Sequence, residues 1–166
     1  HMRKFYPDYN DWNPYDDEYV QRRLIEIVEH EVVRKSNPGI PLCEYASTNQ
    51  GLLDNHANLL VSAALDLFQK WRDKDCTHMS AIEMAEASCS YAIRVFVKNE
   101  PHPLRKILTG RYRLICSVSV IQNIVERLLF GDYAKACVEE YSNIPSKPGM
   151  GFSKQHNETM HDIFRR

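Results

Sequence analysis

The sequence predicts a mostly helical α+β domain with one short β-hairpin. Apolar residues recur at helical spacing in several long segments, whereas strand-like alternation is confined to two short runs, near residues 93–98 and 112–117. The length of 166 residues, with no internal repeat or low-complexity tract, is typical of a single domain that has its own core. We therefore expect one compact unit.

The N-terminal part of the chain predicts an irregular segment and then a helix. Residues 1–17 are rich in Tyr, Asp, Asn and Pro and show no period, and His1-Met2 looks like a cloning scar. A helix is expected from Asp17 to about Lys35, followed by a turn-rich loop over 36–42. The apolar positions that predict this helix are Val20, Leu24, Ile27 and Val28.

The middle of the chain predicts two further helices. Residues 52–71 carry apolar side chains at the spacing of a long amphipathic helix. Ser80 and Glu83 have the spacing of a capping box, so a helix is expected to begin there and to run toward Tyr91.

The predicted hairpin joins two short strands. Ile93, Val95 and Val97 alternate with residues of the opposite face, and Tyr112 to Ser117 forms a second β-like run. Thr109-Gly110 is expected near the tip. Phe96 and Tyr112 are expected to pack into a core, and His102, between two prolines, is interpreted as a residue that shapes the loop.

The C-terminal part of the chain predicts helices separated by a loop. Apolar residues from Val120 to Leu129 predict a helix that stops at Gly131, with a further helical turn or two from Asp132 to Tyr141. Residues 144–153, IPSKPGMGFS, predict a loop, and the tail from Gln155 to Arg166 has helical character.

Composition excludes several classes of protein. No apolar run is long enough to span a membrane, and the N-terminus lacks a signal-peptide layout. The five cysteines form no C-x-x-C pair, and their odd number suits a reducing compartment better than a disulfide framework. No histidine pairs with a cysteine at zinc-ligand spacing, and Ser117 and Ser119 have no His and Asp partners for a hydrolase triad.

Positive charge is concentrated in residues 97–115, although the formal net charge of the chain is −1. This stretch holds five basic residues, Lys98, Arg105, Lys106, Arg111 and Arg113, against the single acid Glu100. One interpretation is a solvated face whose aliphatic stems cover apolar neighbours. The other is a phosphate site, because Arg111 and Arg113 would project from the same side of a strand and guanidinium groups match phosphate oxygens.

Residues 97–131, VKNEPHPLRKILTGRYRLICSVSVIQNIVERLLFG, resemble motif F of viral RNA-directed RNA polymerases, in particular those of sobemovirus- and polerovirus-like plus-strand viruses. The resemblance includes the Lys-x-Glu-Pro start, the central lysine, the Arg-x-Arg-Leu-Ile strand and the Val-Glu-Arg-Leu-Leu-Phe-Gly helix. Ser36, Gly39 and Pro41 resemble motif G, and residues 144–153 resemble the segment that leads from the fingers toward the palm.

The resemblance implies a fold and a set of roles. It implies the fingers subdomain of a right-hand polymerase with the palm absent: an entry segment at 1–17, the fingers region at 18–153, and the start of the connection to the palm at 154–166. Arg113 is similar to the arginine that meets the triphosphate of the incoming nucleotide, Lys106 and Arg111 to its flanking residues, and Lys98 to a base-side or template-side lysine. The residues expected to contact RNA are Ser36, Gly39, Pro41 and Arg105.

The resemblance also implies what should lie outside this stretch. The catalytic metals of the family, Mg²⁺ or Mn²⁺, are held by an Asp-x4-Asp motif A and a Gly-Asp-Asp motif C, and neither motif follows residues 97–115 here. We therefore expect no catalytic residue and no metal in this part, which would end before motif A and would not polymerise alone. The expected partners are RNA template, nucleoside triphosphates, and the palm and thumb of the same polymerase, and the expected location is the host cytoplasm. The alternative is a stand-alone, non-catalytic helical module that binds RNA or protein.

Overall fold

The computed structural model describes residues 12–140 and 153–165. Its described elements confirm a mostly helical α+β chain with a single antiparallel hairpin among them. The expectation of one compact unit is wrong, because the chain divides into a unit formed by Pro14–Leu128 and a smaller unit that contains His1–Asn13 and Leu129–Arg166. The predicted loop at 144–153 lies outside the described residues, except for its last residue.

The first helix, α1, spans Asp17–Glu26 and continues as one π-helical turn, Ile27–Glu31. Asp16 caps it by accepting a hydrogen bond from the backbone N–H of Tyr19 at 3.0 Å. The helix ends before the predicted Lys35. The reason is a set of backbone bonds between residues 33–36 and the next helix: the carbonyls of Arg34 and Ser36 accept from the N–H groups of Gln50 and Asn49, at 2.9 and 2.8 Å.

Helix α2, Asn49–Asp73, is the longest element and forms one wall of the core. Thr48 caps the helix, whose first residue, Asn49, comes three residues before the predicted start at residue 52. The helix contains a kink at His56, where φ is −142° and ψ is 27°. Helix α1 and its π turn pack against α2. The buried side chains of the core are Val20, Leu24, Ile27 and Val28 from the first helix, Leu52, Leu60, Ala64, Leu67 and Phe68 from α2, and Val120, Ile121, Ile124, Val125 and Leu128 from the helix after the hairpin.

Helix α3, Ala81–Glu86, begins with the predicted capping box, which is confirmed: the Ser80 hydroxyl accepts from the N–H of Glu83, and the Glu83 carboxylate accepts from the N–H of Ser80. The helix ends well before Tyr91. Ser88 takes a positive φ of 54°, and the N–H of Cys89 bonds back to the Met84 carbonyl at 2.8 Å, which closes the helix.

The hairpin consists of β1, Arg94–Val97, and β2, Leu114–Ser117, with the short helix α4, Leu104–Leu108, between them. Its register pairs Arg94 with Ser117, Val95 with Cys116, Phe96 with Ile115 and Val97 with Leu114.

Helix α5 spans Val120–Glu139, and α6 spans Lys154–Phe164. The predicted helix stop at Gly131 is wrong, because α5 runs through this residue. A glycine inside a helix costs only about 1 kcal/mol relative to alanine, which the hydrogen bonds of the surrounding turns offset. The second prediction for this segment, helical turns after Asp132, agrees with the structure as far as the described residues extend.

Candidate nucleic-acid interface

Lys98 and Arg113 lie opposite each other at the end of the hairpin ladder that leads into the connecting loop. The backbone N–H of Lys98 donates to the carbonyl of Arg113 at 2.8 Å, one residue beyond the last pair of the sheet, Val97 and Leu114. Because side chains alternate between the faces of a strand, Lys98 and Arg113 share the face that carries Phe96 and Ile115. The register of the hairpin thus brings two of the predicted phosphate-binding cations together.

Glu100 lies between these two cations and contacts both. The Arg113 guanidinium donates to Glu100 twice, from Nε to Oε1 at 2.6 Å and from Nη2 to Oε2. The Lys98 Nζ lies 2.9 Å from the same Oε2. The Glu100 side chain is 21% exposed and that of Arg113 is 61% exposed, so the guanidinium remains accessible from solvent while the carboxylate is partly enclosed. The pair is a fork-to-fork contact of the kind that arginine also makes with phosphate.

The two cations change the ionisation of Glu100. Hydrogen bonds from Arg113 first, and then from Lys98, lower the pKa of Glu100 from 4.5 to about 2. The same contact raises the pKa of Arg113. Glu100 is therefore a stable anion under ordinary conditions, and it neutralises about one of the two positive charges that face it.

We expect the Glu100 carboxyl to titrate near pH 2 in an NMR pH titration of the chain. Because its pKa in the folded chain lies below the ordinary value of 4.5, its ion pairs stabilise the hairpin fully above pH 4.5, and this contribution is lost as the pH falls toward 2. In the Arg113→Ala variant the midpoint should move up toward 4.5, and in Arg94→Ala, a change at the other end of the hairpin, it should not move. A midpoint near 4.5 in the unmodified chain would contradict the contact.

Arg111 does not lie on a strand, so the predicted alternation of Arg111 and Arg113 along one strand is wrong. Strand β2 begins only at Leu114. The N–H of Arg111 bonds to the Lys106 carbonyl at 3.0 Å, and Gly110 before it has a φ of +63°, so the chain turns tightly back after α4. Arg111 belongs to the tip of the hairpin, together with α4, while Arg113 belongs to its ladder.

The tip carries three exposed cations, Arg105, Lys106 and Arg111. Within the described part of the chain, none of the three forms an ion pair with a carboxylate. Helix α4 sets their positions, since the Thr109 hydroxyl donates to the Arg105 carbonyl at 2.8 Å and closes the short helix. The tip therefore concentrates uncompensated positive charge on an exposed turn, a chemistry that suits an anionic ligand.

Two aromatic side chains expected in the core lie on the surface of the hairpin. Phe96 is 40% exposed under the guanidinium of Arg94, and Tyr112 is 39% exposed. The Tyr112 ring meets the His102 ring edge to face at 5.3 Å, and its hydroxyl donates to the Ile107 carbonyl at 3.4 Å. The prediction of core packing is wrong for both, because strand alternation assigns residues to faces but does not determine whether anything covers a face.

The loop that contains Ser36, Gly39 and Pro41 is anchored to the segment after β2. The N–H of Val120 donates to the Pro38 carbonyl at 2.8 Å, and Gly39 packs directly on the backbone of residues 118–119. Gly39 is buried, whereas Ser36 and Pro41 are exposed. The structure therefore joins the loop to the base of the hairpin. The side chains of Ser36 and Pro41 are available to a ligand, whereas Gly39 is buried against the protein.

This arrangement is a cationic surface site on an exposed hairpin, in which two of the cations share one carboxylate. In residues 12–140 and 153–165, no group of three or more His, Cys, Asp or Glu side chains is placed to hold a metal ion. No helix in the same residues is long and apolar enough to cross a lipid bilayer.

Comparison with known proteins places the chain in a family. Residues 20–165 match the family described as viral RNA-directed RNA-polymerase, and the chain belongs to it. It is 42% identical over 129 residues to the replicase polyprotein P2AB of Southern cowpea mosaic virus, which covers 76% of the chain and 13% of the polyprotein. It is 39% identical over 137 residues to the P2AB polyprotein of Southern bean mosaic virus, 81% of the chain and 14% of the polyprotein.

A shorter relative gives the same family. The RNA-directed RNA polymerase of Mushroom bacilliform virus is 30% identical over 142 residues, which cover 84% of the chain and 34% of that polymerase. The chain therefore spans well under half the length of these relatives. No solved structure matches it. The sequence resemblance is thus confirmed at the level of the family.

Glu100 is the site residue whose role sequence reasoning missed. From the sequence, Glu100 has no assigned role beyond its place in the Lys-x-Glu-Pro pattern, although its position two residues after Lys98 and just beyond a predicted strand is a signal of local pairing. The pairing with Arg113 depends on the strand register, which the sequence alone leaves open. The individual roles of the other site residues in ligand binding stay predictions.

Proposed function

We propose that this chain is the fingers portion of a viral RNA-directed RNA polymerase, where it lines the template and nucleotide-entry channels and contacts phosphates. The observation that carries the proposal is the cationic hairpin, in which Lys98 and Arg113 share one carboxylate and three more cations stand exposed at the tip. Family membership supports the polymerase class and favours this proposal over a stand-alone module.

In this proposal the residues of the hairpin and of the 36–41 loop contact either the nucleotide or the template. Arg113 binds the triphosphate of the incoming nucleotide, with Lys98 beside it on the base or template side. Lys106 and Arg111 flank the phosphate path, while Arg105, Ser36, Gly39 and Pro41 face the template. Gly39 is buried, so its part in this proposal is indirect: it lets the loop that carries Ser36 and Pro41 pack against residues 118–119.

Glu100 has a defined part in this proposal. Its carboxylate holds the Arg113 fork with the geometry that phosphate oxygens would take, so it keeps the guanidinium extended and oriented before a nucleotide arrives. A triphosphate carries more charge than one carboxylate and can displace Glu100 from Arg113, while Lys98 retains Glu100 as its partner. The exchange replaces one ion pair by another and leaves no buried cation unpaired.

The metal ions of the reaction would be held elsewhere in the parent protein. The described residues do not fit a Mg²⁺ or Mn²⁺ site, because they provide no cluster of carboxylate ligands, and we assign no step of the reaction to a metal in this part. We further propose that the complete polymerase acts in the host cytoplasm, with the palm and thumb of the same polymerase as partners of this region, and that this portion does not polymerise alone.

We expect the chain to bind single-stranded RNA weakly and with strong salt dependence. Three exposed tip cations that neutralise about three phosphates predict a slope of about −2 in log affinity against log salt, or about a fifteenfold loss from 50 to 200 mM. Fluorescence anisotropy with a labelled RNA measures this slope.

Matched variants locate the RNA contact. Replacing Arg105, Lys106 and Arg111 together by alanine should bring the slope close to zero. Replacing Arg22, Lys74 and Lys135, which are exposed cations outside the hairpin, should leave the slope nearly unchanged. If replacing Arg22, Lys74 and Lys135 brings the slope as close to zero as replacing the three tip cations, the hairpin is not the RNA-binding surface.

A further inference from the structure

The hairpin exposes an apolar face opposite its cationic face. Cross-strand partners share a face, so Val95 with Cys116 and Val97 with Leu114 form one side of the sheet. All four are exposed: Val95 is 54%, Val97 47% and Leu114 61% accessible, and Cys116 is also open to solvent. We name these four residues the apolar face. Ile93, 52% exposed, lies next to it in sequence.

An uncovered apolar face is unusual for a hairpin of this size. A two-stranded sheet is marginally stable in water unless one face packs on something else. Here the strands are only four residues long, and no described residue buries the apolar face. The base of the hairpin is anchored at Val120, but any atoms that cover its apolar face lie outside the described residues.

The chemistry of the face selects the kind of partner. None of its four residues carries a charge, and the cations of the hairpin lie on the other face or at the tip. RNA would bind the cationic side, since phosphate recognition requires positive groups. The apolar face suits an apolar protein surface.

The size of the face distinguishes a second copy of the chain from a segment of the same polypeptide. Two strands of four residues present about 14 by 10 Å, on the order of 150 Å² of footprint. A stable dimer buries about 800 Å² per partner. On its own, a face this small is insufficient for a stable contact with a separate molecule. It suits a partner that is already covalently linked, for which a high effective concentration replaces contact area.

We infer that the apolar face is covered, in the complete polymerase, by a segment of the same polypeptide outside these 166 residues. The related polyproteins are long enough to provide one, since the aligned region is only 13% and 14% of their length. Covering this face fixes the hairpin and thereby orients Arg113 and Lys98 on its other side. The inference rests on the proposed function only in taking the complete polymerase as the parent.

Cys116 is a native reporter for this face. We expect its thiol to react with a maleimide at least tenfold more slowly in the complete polymerase than in this chain alone, as measured by mass spectrometry of the peptide that contains it. Cys43, which is half-buried and lies outside the hairpin, is the internal control and should change much less. Equal rates at Cys116 in both proteins would overturn the inference.

The same measurement tests the other occupants. Labelling of Cys116 in the isolated chain should not depend on protein concentration, and protection that increases with concentration would show that a second copy covers the face. Protection of the isolated chain by vesicles would show a lipid surface instead. Either result overturns the inference.

A pair of substitutions provides a test that does not depend on the thiol. Leu114→Lys should lower the Tm of the complete polymerase by several degrees and leave the isolated chain almost unchanged. Leu59→Lys, at a residue of α2 that is 57% exposed, should have little effect on either protein. An equal Tm for the Leu114→Lys variant and the unmodified polymerase would contradict the inference.

Two outcomes separate this inference from the proposed role of Arg113. An active polymerase with a freely reactive Cys116 would overturn this inference alone. A protected Cys116 in an enzyme that is unaffected by loss of Arg113 would overturn only the role assigned to Arg113.

Discussion

Arg113→Ala in the complete polymerase is expected to lower kcat/KM for nucleotide incorporation about a hundredfold, the usual cost of losing one preorganised donor to a developing charge. Arg113 is the cation that lies at the end of the hairpin ladder and that Glu100 holds by two hydrogen bonds. Its side chain is 61% exposed and buries little apolar surface, so its loss should leave folding intact. Primer extension with a single nucleotide, measured at several nucleotide concentrations, gives the value.

Two variants make this result specific. Arg94→Ala removes a guanidinium from the same face of the hairpin, but at its far end, and should change kcat/KM less than threefold. Arg113→Lys keeps the positive charge but not the planar guanidinium, and its kcat/KM should lie between those of Arg113→Ala and Arg94→Ala. The reason is that lysine cannot hold phosphate oxygens in the bidentate manner of arginine. An Arg113→Ala enzyme that is as active as the unmodified polymerase would remove Arg113 from the phosphate path.

The sequence predicted those parts of the fold that depend on local physics. The helical period of Val20, Leu24, Ile27 and Val28 identified the first helix, and all four side chains are buried. The capping box at Ser80 and Glu83 needed only residues three apart, and the structure has both of its bonds. Such features could be predicted because their partners lie within one helical turn.

The parts that the sequence could not predict depend on distant partners. The end of the first helix is decided by Asn49 and Gln50, which bind carbonyls of residues 33–36. Phe96 and Tyr112 have the pattern of core residues, but nothing in a pattern states whether another layer covers them. Glu100 and Arg113 are 13 residues apart, and they meet only because the hairpin register brings them together.

The approximate site could be predicted, but its internal arrangement could not. Counting charges in residues 97–115 identified the hairpin that carries the cations. The division of those cations into a paired set, Lys98 and Arg113, and an exposed set at the tip followed only from where β2 begins. The two sets differ physically: the Arg113 guanidinium has a carboxylate partner, whereas the three tip cations have none among the described residues.

Gly39→Ala is expected to destabilise the chain by about 3 to 5 kcal/mol, an effect in the range that only a few mechanisms produce. Gly39 has a φ of +73°, and a Cβ added there would lie 2.5 Å from the Val118 carbonyl oxygen and 2.9 Å from the Ser119 Cα. Both are backbone atoms, so no side chain can move aside. The bond from the Val120 N–H to the Pro38 carbonyl would have to break or the loop would have to move. Urea denaturation followed by circular dichroism measures the change in free energy of unfolding.

Gly110→Ala separates the two causes of this effect. Gly110 has a similar φ of +63°, but among the described residues other than its two chain neighbours, no heavy atom lies within 4 Å of its added Cβ. Its substitution should therefore cost only the strain of the left-handed backbone, about 1 kcal/mol. The difference between the two variants measures the close approach of the loop to the segment after β2. Equal losses at the two glycines would mean that residues 36–41 are not held against residues 118–120.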